Sequence, residues 1–408
     1  MQIRTVHPFP ARMAPELALQ SLSTLPSGST VLDPMTGSGT VLRQAQALGH
    51  HGVGFDMDPL AVLMSRVWTT KVDPAITQAE LDGVLDEATR VNLKQEQPSW
   101  HDKETREFID YWFAAPQRRD LTRLAVVLER RRRARLGPAR RAAVDVLQVA
   151  LSRIIVTKEQ CASLARDTSH SRPHRVADIN DYKVMAGFVR SVSQVLARLA
   201  DPSTSTTAGA GDAPNPTEVT LGDARAIGLK DRSIDAIMTS PPYLNAIDYM
   251  RGHRLSLVWL GHSVGNLRSI RSSSIGAERA GTEDSEAVHN IAGAMCNPDA
   301  LSSKHRKMVF RYANDLEQMM REAARVLRRN GKATYVLGNS CLKETFIQNS
   351  EGVTRAAEHA GLELLDRTER DLPAASRYLP MTASGSLSKR MRTETILTFG
   401  HPVRRTRI

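Results

Sequence analysis

The residues best suited to chemistry stand in the segment TSPPYLNAIDY, at positions 239–249. A serine, two prolines and a tyrosine (240–243) follow an apolar run that is typical of a buried strand. Proline fixes φ and removes a backbone donor, so the pair must lie just past the end of that strand. The motif therefore places a hydroxyl, stiff carbonyls and an aromatic ring together, although alone it is equally compatible with a simple turn.

A second set of polar residues lies near the N-terminus, in VLDPMTGSGT and GVGFDMD. A strand is predicted to end at Asp33, Gly37 and Gly39 permit a tight turn, and a helix begins at about Thr40. This geometry brings backbone N–H groups towards a ligand at the helix N-terminus. Asp56, 23 residues after Asp33, closes a second strand, where a carboxylate can accept two ribose hydroxyls. The pattern is neither a Walker A loop nor a GxGxxG fingerprint, and either acid could instead cap its strand.

Strands and helices alternate towards both ends of the chain, which predicts an α/β fold with a parallel, doubly wound sheet. The middle of the chain is mostly helical and ends in a low-complexity stretch. We therefore predict a catalytic domain in two parts, separated by a helical insertion and a flexible linker: 1–69, 70–200, 201–218 and 219–408.

Two local predictions concern the C-terminal half. Residues 262–303 are polar and predict a long loop. Asn330-Gly331 predicts a turn between a helix and a strand.

The charge balance is basic: 55 Lys and Arg stand against 44 Asp and Glu, a net charge of +11. This favours a polyanionic partner, unless the proteome is simply rich in arginine. Clustering favours the partner, because residues 118–141 hold ten arginines and two acids on a pattern that suits a helix with one buried face. Three scattered cysteines, no apolar run of membrane-spanning length and no signal-peptide pattern predict a cytoplasmic protein with reduced thiols.

Four segments in this order, DPMTGSGT, GVGFDMDP, LGDAR and TSPPY, resemble motifs of the S-adenosylmethionine-dependent DNA amino-methyltransferases. Those enzymes methylate N4 of cytosine or N6 of adenine. VHPFPARMAPEL resembles a further cofactor motif of the family. The resemblance covers about residues 5–67 and 219–400. It implies a Rossmann-like class I methyltransferase fold with a mostly parallel seven-stranded sheet, and S-adenosyl-L-methionine as cofactor.

The resemblance also implies cofactor contacts. The glycine-rich turn and Asp33 would hold the methionine part, Asp56 the ribose and Asp223 the adenine amino group, although Asp223 could also cap a helix. Phe9 and Arg12 would close over the cofactor, with Arg12 where many members have lysine. The full predicted set is Phe9, Arg12, Asp33, Pro34, Thr36, Gly37, Gly39, Thr40, Asp56, Met57, Asp223 and Ala224.

The resemblance places catalysis at the Ser-Pro-Pro-Tyr motif. An exocyclic amino group is a poor nucleophile because its lone pair is delocalised, and acceptors for both amino hydrogens localise that pair as charge develops. The Ser240 hydroxyl and the Pro241 carbonyl would be these acceptors and Pro242 would stiffen the turn. The Tyr243 ring would stack on a base that has left the duplex. Serine in the first position favours cytosine N4 over adenine N6. RNA guanine-N2 methylation, or a dead homologue that only binds nucleic acid, are the remaining alternatives.

Polar residues after the motif and in the insertion predict contacts to nucleic acid, although each could be an ordinary exposed side chain. The predicted set is Asn245, Tyr249, Arg251, His253, Arg172, Arg175, Arg130 and Arg131. The insertion is the predicted target-recognition region, and the predicted substrate is double-stranded DNA. A cognate restriction endonuclease is the expected partner if the enzyme belongs to a restriction–modification pair. A proline separates His170 from His174, so no metal site is predicted.

Overall fold

The computed structural model describes residues 6–7, 13–157, 159–166, 173–200, 216–244, 248–276, 285–371 and 393–402. The strands are β1 Thr30–Asp33, β2 His51–Asp56, β3 Ala165–Arg166, β4 His174–Arg175, β5 Thr217–Leu221, β6 Ile234–Thr239, β7 Leu327–Leu337, β8 Ser340–Leu342, β9 Thr345–Ile347, β10 Glu363–Asp371 and β11 Thr393–Gly400. The helices are α1 Pro15–Leu22, α2 Thr40–Ala47, α3 Pro59–Thr69, α4 Pro74–Arg90, α5 Lys103–Trp112, α6 Ala115–Arg133, α7 Pro138–Arg153, α8 Val184–Leu199, α9 Met250–Leu257, α10 Val264–Ser273, α11 Glu286–Met295, α12 Ser303–Val326 and α13 Asn349–His359, with a 3-10 turn at Pro298–Ala300.

Seven strands form one sheet in the order β5-β2-β1-β6-β7-β11-β10. Neighbours are parallel from β5 to β7, whereas β11 is antiparallel to both β7 and β10. This order with its single reversed strand is the Rossmann-like class I methyltransferase fold, and it confirms the predicted fold class. The chain proceeds from β1 to one side of the sheet and from β6 to the other. The topological switch point therefore lies between β1 and β6, where open α/β sheets bind ligands beyond the strands' carboxyl ends.

The helices pack into two large apolar cores, one against this sheet and one mainly among the helices themselves. In one, Leu32 and Ile237 of the central strands pack with buried residues of α11, α12 and α13. The other joins α3 and α9 to the helices α4, α6, α7 and α8 and contains the buried rings of Trp68, Phe113 and Trp259. The region 70–200 is thus mainly helical, as predicted, and shares its core with helices on either side of it in sequence. Its role in target recognition stays a prediction.

The prediction of a long loop over 262–303 is wrong, because α10, α11 and the 3-10 turn occupy most of the described residues there. Ser263 and Ser285 cap the two helices, each accepting the backbone N–H three residues further on. Val264 and Leu267 lie on one face of α10 and are buried. The described serines and arginines of α10 and its caps are exposed or partly exposed.

Two strand boundaries also differ from the predictions. Asn330-Gly331 forms no turn between elements but lies inside β7, which begins directly after α12. A Cβ on Gly331 would lie 2.7 Å from the Asp235 carbonyl oxygen, so glycine permits the close approach to β6. β5 begins two residues before the predicted 219, and residues 201–215 of the predicted linker lie outside the described residues. Across the described ranges, no helix is long and apolar enough to cross a membrane.

Candidate active site

The glycine-rich turn lies between the carboxyl ends of β1 and β2. Gly37 and Gly39 have φ values of 49° and 86°, in the left-handed region that favours glycine. The Thr36 amide donates to the Phe55 carbonyl at 2.9 Å, and the Gly37 amide donates to Asp56 Oδ2 at 2.9 Å. These bonds fix the turn against β2, and α2 begins directly after it.

Thr36 contributes a buried polar atom to this turn. The residue is 5% exposed, and its Oγ1 has no hydrogen-bond partner among the described residues. A Cβ on Gly54 would lie 2.5 Å from Thr36 Cγ2, so the turn can sit this close to β2 only because position 54 is glycine. An unsatisfied buried hydroxyl costs about 1–3 kcal/mol. A polar ligand that bonds to Thr36 would recover this cost.

Gly39→Ala is expected to destabilise the protein by more than the strain of a positive φ, because the added Cβ would also clash with α3. A Cβ on Gly39 would lie 2.8 Å from Ser65 Oγ and 2.9 Å from Ser65 Cα, on α3. Gly49→Ala is the matched control, because Gly49 has φ +76° but nothing within 4 Å of a Cβ. Both variants carry left-handed strain of about 1–2 kcal/mol. In urea unfolding, Gly39→Ala should lose about 1–3 kcal/mol more than the control, and equal losses would contradict the close packing of α3 on the turn.

Asp33 joins the glycine-rich turn to the Ser-Pro-Pro-Tyr motif. Thr239 Oγ1, at the end of β6, donates to Asp33 Oδ1 at 2.7 Å, and the Met35 amide donates to the same oxygen at 3.2 Å. Asp33 is 3% exposed, and burial raises its pKa to about 7 although both hydrogen bonds oppose the rise. The carboxyl ends of β1 and β6 are thus tied together at the switch point.

Three buried ionisable groups gather at the end of β2. Asp56 accepts from the Gly37 and Asp58 amides at 2.9 Å each, while burial and the charge of Asp58 raise its pKa to about 6. Asp58 caps α3 at the Leu60 amide, at 2.9 Å, and pairs with His253 Nδ1. Burial favours the neutral imidazole, but the Asp58 carboxylate outweighs it and raises the pKa of His253. His253 therefore links α9 to the start of α3.

The Ser-Pro-Pro-Tyr motif follows directly after β6. Pro241 is buried, whereas Ser240, Pro242 and Tyr243 are partly exposed. Tyr312 on α12 is fully buried and donates its hydroxyl to the Pro242 carbonyl at 2.9 Å. Tyr243 packs against the core that α12 helps to form. The stiff turn is thus anchored to α12 on one side and to β6 on the other.

Asp223 lies two residues after β5 and caps no helix in the described chain. Arg225 Nε donates to its Oδ1 at 2.9 Å, and Arg225 Nη2 donates to its Oδ2 at 2.7 Å. Burial acts to raise the pKa of Asp223, but the bonds from Arg225 lower it. Arg225 Nη2 also lies 3.9 Å from Met57 Sδ, so Met57 and Asp223 border the same space.

Most of the predicted cofactor residues thus follow the carboxyl ends of three neighbouring strands. They are Asp33 at the end of β1 and Pro34, Thr36, Gly37, Gly39 and Thr40 after it, Asp56 at the end of β2 and Met57 after it, and Asp223 and Ala224 after β5. Phe9 and Arg12 lie outside the described residues. The contacts of these residues with a cofactor stay predictions.

Two arginines of α6 that were predicted to bind nucleic acid are paired with acidic side chains. Arg130 contacts Glu96, and Arg131 lies between Glu80 and Glu87 with 17% of its side chain exposed. The charges of Arg130 and Arg131 are therefore paired with acids inside the insertion. Sequence clustering did not show this, because the acids come from α4 and the segment that follows it.

Other residues of the predicted nucleic-acid set lie elsewhere. Arg175 pairs with Asp178 at 3.0 Å and lies over the Tyr111 ring at 5.1 Å. Tyr249 stacks on His253, with ring centroids 6.4 Å apart. Arg172 and Asn245 lie outside the described residues.

A basic group on α9 and α10 was predicted only in part. Its members are Arg251, Arg254, Arg268 and Arg271. Arg251 and Arg271 both contact Asp248, at 2.9 and 2.6 Å, so two positive charges share one carboxylate. Their side chains are 33% and 40% exposed. Asp248 lies five residues after Tyr243 in sequence. The chain leads from α10 to Gly276, where a Cβ would lie 4.0 Å from the Tyr243 carbonyl oxygen, so the segments that carry these arginines flank the candidate catalytic turn.

Several residues that shape the site were not predicted. Thr239 could have been found, because it directly precedes the motif and ends its strand. Arg225 lies in the LGDAR segment but was not among the predicted residues. Tyr312 carries no local signal, because it bonds to a carbonyl 70 residues away in sequence. Within the described ranges, no three His, Cys, Asp or Glu side chains form a group that could hold a metal ion.

The fold and the strand-end residues define a class I methyltransferase fold whose polar residues gather at its switch point. No protein-family model matches the chain. A 113-residue stretch is 27% identical to Type II methyltransferase M.MvaI of Kocuria varians. This match covers 26% of the present chain and 25% of that relative, so the chain spans only about a quarter of the relative's length.

Solved structures that are similar to this chain include two methyltransferases and a methylase. A TehB-like SAM-dependent methyltransferase of Corynebacterium glutamicum matches with a TM-score of 0.30 at 9% identity, covering 96% of this chain and 89% of its own. A candidate DNA modification methylase of Thermus thermophilus matches with a TM-score of 0.23 at 14% identity. The match covers 45% of the present chain and 51% of the methylase. The rRNA methyltransferase aviRa of Streptomyces viridochromogenes matches with a TM-score of 0.29 at 10% identity. The match covers 96% of the present chain and 86% of aviRa.

Proposed function

We propose that this protein transfers a methyl group from S-adenosyl-L-methionine to an exocyclic amino nitrogen of a base in double-stranded DNA, with N4 of cytosine as the favoured acceptor. The observation that carries the proposal is the hydrogen bond between Thr239 and Asp33, at 2.7 Å. It joins the turn assigned to the cofactor with the motif assigned to the base, at the switch point where this fold class binds ligands. The match to a Type II methyltransferase supports methyl transfer.

The residues at the switch point fit S-adenosyl-L-methionine. The unpartnered Thr36 Oγ1 suits its polar methionine end, and Asp56 suits its ribose hydroxyls. Asp223 and Met57 border a space at the next strand end that suits its adenine. When bound, this cofactor supplies an activated methyl group on a sulfonium.

The catalytic turn positions acceptors for the amino group of the base. Tyr312 fixes the Pro242 carbonyl, which leaves the preceding Pro241 carbonyl and the Ser240 hydroxyl for the two amino hydrogens. Pre-positioned acceptors of this kind act where charge develops in the transition state. The Tyr243 ring provides a stacking face for a base that has left the duplex. Serine in the first position favours cytosine, and adenine N6 is the alternative acceptor.

The proposal assigns DNA phosphates to the α9–α10 arginines that lie beside the catalytic turn. Arg271→Gln and Arg251→Gln are each expected to weaken DNA binding several-fold and to reduce the slope of log affinity against log salt by about 1. Arg130→Gln, on α6, is the matched control and should change neither quantity, because Glu96 already balances its charge. Fluorescence anisotropy of labelled duplex DNA at several salt concentrations measures both. A larger effect at Arg130 than at Arg271 would place the DNA on the insertion instead.

Two assays in sequence test the function itself. Calorimetric titration with S-adenosyl-L-methionine should show saturable binding, and the tritiated cofactor should then label plasmid DNA. Cofactor binding without transfer to any DNA or RNA would leave only a nucleic-acid-binding homologue. Labelling of RNA but not of DNA would contradict the proposal that DNA is the substrate.

A further inference from the structure

Arg225 lies at the centre of a buried polar cluster that the proposed function does not yet use. Its side chain is 12% exposed. Besides holding Asp223, it donates from Nη1 to Asp315 Oδ1 at 2.6 Å and from Nη2 to the Ser273 carbonyl at 2.5 Å. One guanidinium therefore connects the end of β5, the end of α10 and the middle of α12. Its planar fork suits two carboxylates at once.

Asp315 fixes the other end of this cluster. It is 2% exposed, and its Oδ2 accepts the Gly276 amide at 2.9 Å while its Oδ1 accepts from Arg225. Both carboxylate oxygens are thus engaged, and the carboxylate cannot turn without losing a bond. A Cβ on Gly276 would lie 4.0 Å from the Tyr243 carbonyl oxygen, so this segment also borders the catalytic motif.

Tyr312 stands one helical turn before Asp315 on α12. Residues three apart share a face of a helix, and this face points at both halves of the candidate site. From it, Tyr312 reaches the Pro242 carbonyl at 2.9 Å, and Asp315 reaches Asp223 through Arg225. The side chains of α12 therefore bond to both the catalytic turn and the Asp223 cluster.

Stability alone does not account for these groups. Desolvating a buried ion pair often costs more than the pair returns, and replacement by apolar residues is frequently neutral or stabilising. Asp315 is buried and the Arg225 side chain is 12% exposed, whereas the Asp223 side chain is 31% exposed, and this arrangement is better explained by what it orients.

We propose that Arg225, Asp315 and Tyr312 are positioning residues through which α12 aligns the two halves of the site. Asp315 holds Arg225, which orients the Asp223 carboxylate towards the cofactor, and Tyr312 holds the Pro-Pro turn towards the amino group of the base. The inference rests on the proposed function. It predicts two separable effects. Arg225 and Asp315 govern the affinity for the cofactor, whereas Tyr312 governs the rate of methyl transfer.

The variants are Arg225→Lys, Asp315→Asn and Tyr312→Phe. Arg321→Lys is the matched control, an arginine on the same helix that is 66% exposed and pairs only locally with Glu317. Calorimetry measures the dissociation constant for S-adenosyl-L-methionine, single-turnover labelling of plasmid DNA at saturating cofactor measures the rate, and urea unfolding measures stability. Tyr312→Phe removes one oxygen and keeps the ring, so the core packing of this variant is retained.

Arg225→Lys and Asp315→Asn should each raise the dissociation constant about tenfold or more with rates within about threefold. Tyr312→Phe should lower the rate about tenfold or more with the dissociation constant within about twofold. Arg321→Lys should match the wild type in all three measurements.

Two results would overturn the inference while leaving the proposed function intact. In the first, the wild type binds cofactor and labels DNA, and the variants behave like Arg321→Lys. In the second, affinity and rate fall together in every variant in proportion to stability, as expected of residues that only hold the fold. A wild type that binds no cofactor defeats the proposed function first, and this inference with it.

Discussion

Ser240→Ala and Tyr243→Ala are expected to lower the rate of methyl transfer by about 100-fold or more while leaving cofactor affinity within about twofold. Ser240 and Tyr243 are partly exposed in a turn held by β6 and α12, whereas the acids assigned to the cofactor lie at the ends of β1, β2 and β5. Each alanine variant removes a group that would act on the base and leaves those acids in place. Single-turnover transfer and calorimetric titration separate the two effects.

Two control variants sharpen this prediction. Tyr243→Phe keeps the stacking face and should retain the rate within about tenfold, because the ring and not the hydroxyl carries the stacking contribution. Ser233→Ala lies just before the start of the same strand, β6, where its hydroxyl bonds to the Lys230 carbonyl at 2.7 Å. It should transfer methyl groups at the wild-type rate. Normal turnover in both Ser240→Ala and Tyr243→Ala would refute the assigned roles.

Asp56→Asn is expected to weaken cofactor binding by about 100-fold. Two ribose hydroxyls would lose a charged acceptor, and a hydrogen bond to a charged group contributes about 1.5–3 kcal/mol. Asp235→Asn is the matched control, because Asp235 Oδ2 also accepts a backbone amide, that of Thr30, at 2.9 Å, but near the opposite ends of the strands. Calorimetry should find wild-type affinity in the control. Equal losses in both variants would show that Asp56 acts through the fold.

The pH dependence of cofactor affinity gives an independent test of Asp56. Burial raises the pKa of Asp56 to about 6, so the carboxylate is ionised above that pH and becomes protonated below it. A protonated carboxyl is a weaker acceptor, and affinity should therefore fall as the pH drops through 6. Asp56→Asn should lack this step. An identical pH profile in the wild type and the variant would contradict the assignment.

The predictions that succeeded rest on short stretches of sequence. The ends of β1, β2 and β6, the turn with Gly37 and Gly39, and the start of α2 each follow from local apolar runs, glycines and prolines. The same motifs in sequence order led to the class I fold. Parallel strands place their carboxyl ends on one edge of the sheet, so the acids that end β1 and β2 lie on the same edge.

The predictions that failed depend on contacts between distant segments. The sequence pattern did not predict α10, because its apolar face is narrow and most of its other positions are serine and arginine. The ion pairs of α6 were also not predicted: Arg130 contacts Glu96, and Arg131 contacts Glu80 and Glu87. The contacts of this helix with nucleic acid stay a prediction. Tyr312 lies 70 residues from Pro242, and Asp315 lies 90 residues from Arg225. No local pattern marks such pairs.

The most direct measurement expresses the protein in a host without DNA methylation and sequences the host DNA by a method that detects modified bases. The account predicts N4-methylcytosine at one short, fixed sequence with the wild type, and none with Ser240→Ala. N6-methyladenine at a fixed site would contradict the choice of cytosine as the target base. It would remain consistent with methyl transfer to an exocyclic amino group. Unmodified DNA from cells that contain folded, cofactor-binding protein would contradict the central claim.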